Sequence, residues 1–458
     1  MNFNDPQTAL EEVFGYEEFR PGQLDVIETV LEGQDLLAIM PTGSGKSLCY
    51  QLPALVLDGT ALVVSPLIAL MKDQLDGMRQ LGVSAALINS SLSGRQRRQR
   101  IDGLQEGVYD IVYVAPERFR SDRFEEAVRQ ANISLLAIDE AHCVSHWGHD
   151  FRPDYLALSD AREMLGEPPV LGLTATATRQ VQQDILQQVG LDDAEIIIGG
   201  FERPNLLFDV FRASGERAKK RRLTEVLGRR PEQSSVVYCA TRRQVEDVTE
   251  LLEQAELVVG AYHGGLDGAQ RRETQDAFMA GDLPVLVATN AFGMGVDKPD
   301  IRSIIHYNIP GSLEAYYQEA GRAGRDGEPA QCLLLYDPSD RGIHDFFIEN
   351  SYPKKRVIEA VWRVVSKDGT GTREMSPEII SEHVSRIGGG VDVHSWGVET
   401  ALKQLAKGGH LSFGWRGDRH QVTVQDRARM RDLRVDWNRI DEQREISETH
   451  LNDVVNYA

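Results

Sequence analysis

The stretch Met40-Pro41-Thr42-Gly43-Ser44-Gly45-Lys46-Ser47 constrains this chain more than any other, because it has the composition of a loop that wraps phosphate. The apolar run Asp35-Leu36-Leu37-Ala38-Ile39 before it suits a buried parallel strand, and Leu48-Cys49-Tyr50-Gln51-Leu52 after it can open a helix. In such a strand, loop and helix, the glycines let backbone N–H groups face a polyphosphate, the helix start favours an anion, Lys46 reaches the terminal phosphates, and the Ser47 hydroxyl can serve Mg²⁺. Met40 stands where the usual signature has glycine, so a glycine-rich turn is the competing reading of this segment taken alone.

With 458 residues, 41% of them hydrophobic, the chain can bury several cores, and three domains with a tail are expected. No apolar run approaches the length of a bilayer span, and Met1 to Pro6 lack the basic start and hydrophobic stretch of a signal peptide, so an intracellular protein without a membrane partner is expected. Cys49, Cys143, Cys239 and Cys332 are scattered with no close pair, which predicts reduced thiols, no disulfide and no structural zinc. The net charge of -20 argues at first sight against a nucleic-acid partner. That sum hides basic clusters at Arg95-Gln96-Arg97-Arg98-Gln99-Arg100 and Lys219-Lys220-Arg221-Arg222, which read first as solvated helix faces and second as binding patches.

Residues 7 to 32 read as helices around a turn, in the plainest case a helical cap on a sheet. Tyr16, Arg20 and Gln23 lie just before the strand that feeds the loop, so a ring and a guanidinium are placed to stack on a base and an amide to read the edge of adenine. Strand-like runs then alternate with helical ones: Ala61 to Val64, Ala85 to Ile88, Ile111 to Val114, Leu135 to Ile138 and Val170 to Leu173, separated by helices at Ile68 to Leu81, Gly94 to Gly103, Phe124 to Gln130 and Thr178 to Val189. This is the pattern of a parallel sheet covered on both faces, whose ligands bind at the carboxyl ends of the strands. Ser65-Pro66-Leu67 and Ala115-Pro116-Glu117-Arg118 therefore belong to that rim. Asp139-Glu140 ends another strand there: Asp139 can hold Mg²⁺ through water and Glu140 can orient or deprotonate the water that attacks a γ-phosphate. Paired with the loop, the two acids point to ATP hydrolysis.

Cys143 to Tyr155 interleaves His146, Trp147, His149, Phe151 and Arg152 without a helical period. Core packing of Trp147 and Phe151 is one reading; stacking on unpaired bases beside a phosphate backbone is the favoured one. His146 and His149 lack the companions of a metal site. Thr174 and Thr176 close the first lobe, and Phe201 to Leu206 passes to a second alternating set at Val236 to Cys239, Val258 to Tyr262, Val285 to Thr289, Ile304 to Tyr307 and Cys332 to Tyr336. His263 and Thr289 lie at strand ends in this lobe and are expected to meet nucleic acid. The lobe has no phosphate loop of its own. It offers Ala291 to Asp297 and Gln318-Glu319-Ala320-Gly321-Arg322-Ala323-Gly324-Arg325, whose two arginines are expected on one face of a helical turn. Surface charge is the plain reading of the pair; the sharper one has them cross a cleft to neutralise charge on the γ-phosphate.

The stretches Phe14 to Gln23, Met40 to Ser47, Ser65 to Gln74, Asp139 to His142, His146 to Tyr155, Thr174 to Thr176, Ala288 to Asp297 and Gln318 to Gly327, in that order, resemble the RecQ family of DNA helicases in the second helicase superfamily, over residues 10 to about 340. The aromatic-rich loop and Phe19 to Gln23 are the discriminating parts. The resemblance implies an α/β fold of two tandem RecA-like parallel-sheet lobes of the P-loop NTPase type, at 1–205 and 206–340. It implies ATP and Mg²⁺ as cofactors, nucleotide contacts from Tyr16, Arg20, Gln23, Thr42, Gly43, Ser44, Gly45, Lys46 and Ser47, metal contacts from Ser47 and Asp139, and a base at Glu140. Coupling would run through Gln318 with Arg322 or Arg325, and strand contacts through Ser65, His146, Trp147, Phe151, Arg152, His263 and Thr289. The implied activity is 3′-to-5′ unwinding of forked or junction DNA in recombination and repair by a monomer in the cytoplasm and nucleoid, with single-strand-binding or recombination proteins as partners. An RNA helicase, or a nucleotide-switched DNA-binding protein without turnover, is the alternative.

The family's usual zinc module with four cysteines is missing after Tyr336. Instead, helices near Lys354 to Val365, Pro377 to Val384 and Ser395 to Lys407 surround a Gly388-Gly389-Gly390 turn, and Leu411 to Phe413, a Gly417-Asp418 turn and Val422 to Val424 read as a hairpin. That order predicts a winged-helix module over 341–426, with Ser395 to Lys407 in the recognition place and a small packing domain as the alternative. Residues 427–458 are expected to be a charged tail, helical or frayed.

Overall fold

The computed structural model describes residues 3, 5–148, 151–191, 193–200, 202–293, 298–387, 393–416 and 419–458. His149, Phe201, Met294 to Asp297 and the turns at Gly388 to Gly390 and Gly417-Asp418 lie outside the described residues. The chain divides into two units, Met1–Asn308 with Glu314–Leu335, and Ile309–Leu313 with Tyr336–Ala458.

The first unit contains two sheets. β1 (Leu36–Ile39), β2 (Thr60–Val64), β3 (Ala85–Ile88), β4 (Ile111–Val114), β5 (Ile133–Ile138), β6 (Val170–Thr174) and β7 (Glu195–Ile198) make a parallel sheet in the order β3-β4-β2-β5-β6-β1-β7. Its inner strands are continuous apolar runs because both faces are covered, and β1 and β2 are buried along their whole length. One core, around Val26, Leu36, Ala38 and Val63, lies on one face; another, around Leu37, Leu62, Phe124 and Ile185, lies on the other. Backbone bonds align the strand ends: Met40 N–H donates to Thr174 O at 3.0 Å, Asp139 N–H to Val64 O at 2.9 Å, Ser65 N–H to Val114 O at 3.2 Å and Ala115 N–H to Ile88 O at 3.3 Å. The loops that leave β1, β5, β2, β4 and β3 are thereby set out along one rim.

The second sheet comprises β8 (Leu206–Arg212), β9 (Ser235–Tyr238), β10 (Val259–Tyr262), β11 (Val285–Ala288), β12 (Ser303–His306) and β13 (Ala330–Tyr336), ordered β10-β11-β9-β12-β13-β8. Strands β10 to β13 and β9 pair in parallel. Two strands of these parallel sheets go beyond the sequence expectation, and both are edges. β7 shows Ile198 to solvent and β8 shows Leu207, so neither has the fully buried surroundings of the inner strands.

In the second unit, helices Arg341–Ser351, Lys355–Val365, Pro377–Ile387 and Ser395–Lys407 accompany an antiparallel sheet of β14 (Gly371–Glu374), β16 (Arg419–Val424) and β15 (Leu411–Arg416), in that order. Trp362, Ile380, Leu402, Leu405 and Val422 are in its core. The Trp437–Tyr457 helix buries Ile440, Ile446, Leu451 and Val454, so the charged tail contains an apolar stripe. Among the described residues, no helix is long and apolar enough to cross a membrane, and all four cysteines are buried with free thiols.

Candidate nucleotide and nucleic-acid site

Strand β1 delivers the chain into the loop with Met40 still packed in the core, 1% exposed and its sulfur 3.8 Å from Cys49 Sγ. The first position of the signature therefore continues the strand and needs no glycine. The loop's conformational demand falls on Gly43 and Gly45, at φ 87° and 81°, where a side chain would be strained. A Cβ on Gly45 would lie 2.5 Å from Gln23 Nε2, and one on Gly43 would lie 3.4 Å from Arg203 Nη1 and 3.5 Å from Arg325 Cγ. Groups from the N-terminal helices, the inter-lobe segment and the second lobe thus converge on one loop.

Each convergent group has a defined partner. Arg20 Nη1 donates to Gly43 O, and Gln23 Nε2 donates to Ser44 O at 3.0 Å and Gly45 O at 3.1 Å. Gln23 Oε1 accepts from Arg20 N–H at 2.8 Å, which ties the two together. These residues, expected to read a base, hold the loop's carbonyls here, and Tyr16 is 57% exposed beside them in sequence. Lys46 Nζ donates to Met40 O at 3.1 Å and lies 3.4 Å from Pro41 O. Burial lowers its affinity for a proton, against the pull of Glu140 and Asp139.

Asp139, at the end of β5, is 7% exposed and accepts from Glu140 N–H at 3.0 Å. Burial pushes its carboxyl well above the ordinary range, the Glu140 charge adds to this, and Lys46 opposes it. The fully buried Tyr155 donates its hydroxyl to Asp139 O at 3.2 Å. Glu140 adopts the left-handed conformation at φ 50°, which costs about 1–2 kcal/mol in a residue with a side chain. Its carboxylate lies 3.4 Å from His142 Nδ1, which lies 3.0 Å from Thr174 Oγ1. Thr174 Oγ1 also donates to Thr176 O at 3.1 Å, so the acid pair and the threonines after β6 form one connected chain.

The two arginines of the second lobe part company. The helix Leu313–Ala320, which carries Gln318, ends before them, and the turn that follows sends their side chains different ways. Arg322 is 5% exposed and donates to Gly293 O inside its own lobe, whereas Arg325 reaches Gly43. The single face expected from their spacing is not formed, because the helix has already ended at Ala320 and the turn between them includes Gly324 at φ 55°. Arg203 carries less sequence signal, lying in the segment between the lobes with no motif around it. Its guanidinium donates to Thr42 O at 3.0 Å, Gly321 O at 3.3 Å, Ala323 O at 2.8 Å and Gly324 O at 2.9 Å, with Nε to Asn205 Oδ1 at 3.3 Å.

Along the rim, Ser65 is 2% exposed and its Oγ has no hydrogen-bond partner. The aromatic-rich segment is fastened beside it, with Arg152 Nη1 donating to Pro66 O at 2.8 Å. His146 N–H donates to Asp184 Oδ2 at 2.8 Å, and the His146 and Phe151 rings sit 4.1 Å apart. Trp147 is partly buried against the lobe's second core, as the packing reading expects. In the second lobe Thr289 N–H donates to Tyr262 O at 3.1 Å, which brings the ends of β11 and β10 together, and His263 Nε2 lies 3.5 Å from Glu246 Oε1.

A DEAD/DEAH box helicase family model matches residues 20–185, and a helicase conserved C-terminal domain model matches 218–327. A probable ATP-dependent DNA helicase RecS of Bacillus subtilis (strain 168) is 41% identical over 363 residues, covering 79% of this chain and 73% of that protein. The ATP-dependent DNA helicase RecQ of the same organism is 46% identical over 347 residues, which cover 75% of this chain. The chain belongs to the RecQ family of ATP-dependent DNA helicases. This RecQ-family chain spans somewhat over half the length of the curated RecQ relatives it matches, 58% in B. subtilis and 56% in Pasteurella multocida. The solved helicase MrfA bound to DNA and AMPPNP shares its fold, with a TM-score of 0.62 at 19% identity, over 94% of this chain and 62% of that one. Membership of an ATP-dependent family makes ATP the nucleotide expected at the loop. The donor set fits it: Arg20, Arg203 and Arg325 approach Gly43, Lys46 sits in the same loop, and Ser44 Oγ is buried without a hydrogen-bond partner.

Proposed function

We propose that this chain is an ATP-driven motor that moves 3′-to-5′ along single-stranded DNA and unwinds forked or junction DNA. The observation that carries the reading is the approach of Arg325, from the second lobe, to Gly43 of the loop that bears Lys46. Lys46 binds the terminal phosphates, Arg325 neutralises charge developing on them, and Glu140 orients or deprotonates the attacking water. Ser47 and, through water, Asp139 are hard oxygen donors suited to Mg²⁺, which when bound supplies charge neutralisation across the phosphate oxygens. Tyr16 stacks on the base; Arg20 and Gln23 exchange the loop's carbonyls for it, so nucleotide entry releases the loop. Gln318 and Arg203 pass the change to the second lobe.

Ser65, Arg152, His146, Trp147 and Phe151 on one lobe, and His263 and Thr289 on the other, form the path of a single strand, so each cycle of closure and opening shifts it. The lobes are assigned to 1–205 and 206–340. Residues 341–426 are assigned as a winged helix that contacts duplex, without structural zinc, and 427–458 as a helical tail. A monomer in the cytoplasm and nucleoid, working with single-strand-binding or recombination proteins, fits this role.

Strand displacement on 3′-tailed and 5′-tailed duplexes tests the reading, with Lys46→Ala as control. Unwinding only from the 3′ tail, lost in the variant, is expected. Equal unwinding from both tails, or unwinding that survives the substitution, contradicts it. Greater ATPase stimulation by single-stranded RNA than by DNA would transfer the substrate to RNA.

A further inference from the structure

The two basic clusters of the sequence have different fates. Lys219 of one is fully buried and donates to Tyr307 O at 2.8 Å, and Arg222 pairs with Glu225 at 3.6 Å, so two of its four cations are taken up within their own lobe. The other forms the first turns of the helix Gly94–Gln105, capped by Ser93 and Gln96. This helix follows β3, the edge strand of the first sheet. Part of its charge has a structural use: Arg100 Nη1 donates to Leu87 O, and Arg79 donates to Ala85 O at 3.0 and 3.1 Å. Those carbonyls face away from β4, so the two arginines close the open side of the edge strand.

Arg95 and Arg98 have no such duty. Both are exposed, and Arg98 makes only a 3.3 Å bond from Nε to Gly94 O within its own turn. Among the described residues no carboxylate lies within ion-pair distance of Arg95, Arg97, Arg98 or Arg100, although acids outnumber bases by 70 to 50; Asp102 of the same helix is held by Arg123 at 2.7 Å. The neighbouring rim is lined with buried groups that lack partners. Asn89, directly after β3, is 0% exposed with Nδ2 unpaired, and Arg97 Nε, Arg118 Nε after β4 and Ser65 Oγ after β2 are unpaired too. β2, β4 and β3 are successive neighbours about 4.8 Å apart, so these donors run in a line toward the Gly94–Gln105 helix.

We propose that this helix extends the nucleic-acid path past the edge of the first sheet, with Arg95 and Arg98 contacting successive phosphates of a strand that has already crossed Ser65, Arg118 and Asn89. The inference rests on the reading of the rim as a single-strand path. The contact is to the backbone and carries no base preference.

The test is the salt dependence of single-strand binding by the full chain, using oligonucleotides of about 8 and about 20 nucleotides that bracket the usual footprint. Neutralising two phosphate contacts in Arg95→Gln/Arg98→Gln should flatten the slope of log affinity against log salt by about 1.4 on the longer strand. Binding there should weaken several-fold, while binding of the shorter strand keeps the parent slope, and Arg95→Lys/Arg98→Lys restores the longer strand's slope. An unchanged slope on the longer strand, or an equal loss on both lengths, overturns the inference. A parent chain that binds neither oligonucleotide overturns the underlying reading itself.

Discussion

Arg203 and Thr42 stand 161 positions apart, and Nη1 of the arginine donates to the threonine carbonyl at 3.0 Å while its Nη2 holds the carbonyls of Ala323 and Gly324. One planar fork thereby spans the phosphate loop and the turn that carries Arg325. Lysine keeps the charge but cannot hold these acceptors in one plane. Arg203→Ala and Arg203→Lys should both lower kcat for ATP by about tenfold or more while KM moves less than about threefold, since the loss is of alignment rather than of ground-state binding. Steady-state ATPase assays check this, and full recovery by lysine would show that charge alone matters.

Arg322 is placed differently from Arg325, three positions on. Its guanidinium is buried against Gly293 O, next to Tyr238, whose hydroxyl donates to Phe292 O at 3.0 Å. Arg322→Ala should destabilise the chain by about 1.5–3 kcal/mol, the loss expected for a buried charge-assisted bond, and Arg325→Ala should not. Urea unfolding of the two variants separates them.

Asp139 gives a signed pH prediction. Because burial raises its folded pKa above the unfolded value, the folded state is favoured at low pH and loses that advantage as pH rises through the folded pKa. Asp139→Asn, neutral at every pH, should therefore melt higher than the parent at neutral pH, by on the order of 1 to 4 °C, with the difference vanishing toward pH 4. Melting curves across pH decide it, and a lower melting temperature for the variant at neutral pH would contradict it.

The bond from Arg152 to Pro66 O fastens the aromatic segment to the strand-end loop that carries Ser65. Arg152→Ala should raise the single-stranded DNA concentration for half-maximal ATPase stimulation by about tenfold, the loss of a bond to a charged group plus the proposed phosphate contact. Titration of ATPase rate with oligonucleotide measures this.

Much of the site was legible because its signals are local. Gly43 and Gly45 announce the left-handed turns the loop needs, and Asp139-Glu140 follows a run that can only be an inner strand. What escaped depends on distant partners. Arg203 binds carbonyls, which every residue has, so no complementary side chain marks its partners in the sequence. Gln23 likewise meets the carbonyls of Ser44 and Gly45 rather than a side chain. Arg322 and Arg325 diverge in a turn that begins after Ala320 and includes Gly324 at φ 55°, whereas spacing alone favours a helix there. The short β14, Gly-Thr-Arg-Glu, is polar and exposed and forms only by pairing with β16. β8 breaks its apolar run with Asp209 and leaves Leu207 and Phe208 exposed, as an edge strand can.

The central claim is that nucleotide held by one lobe is completed by an arginine from the other. The most direct measurement compares Arg325→Ala with the parent in two assays, nucleotide binding and single-turnover phosphate release on saturating single-stranded DNA. The account predicts nucleotide affinity within about threefold of the parent and a release rate lower by about 10³-fold or more, as for an arginine that acts on the transition state. A release rate within a few-fold of the parent would contradict it.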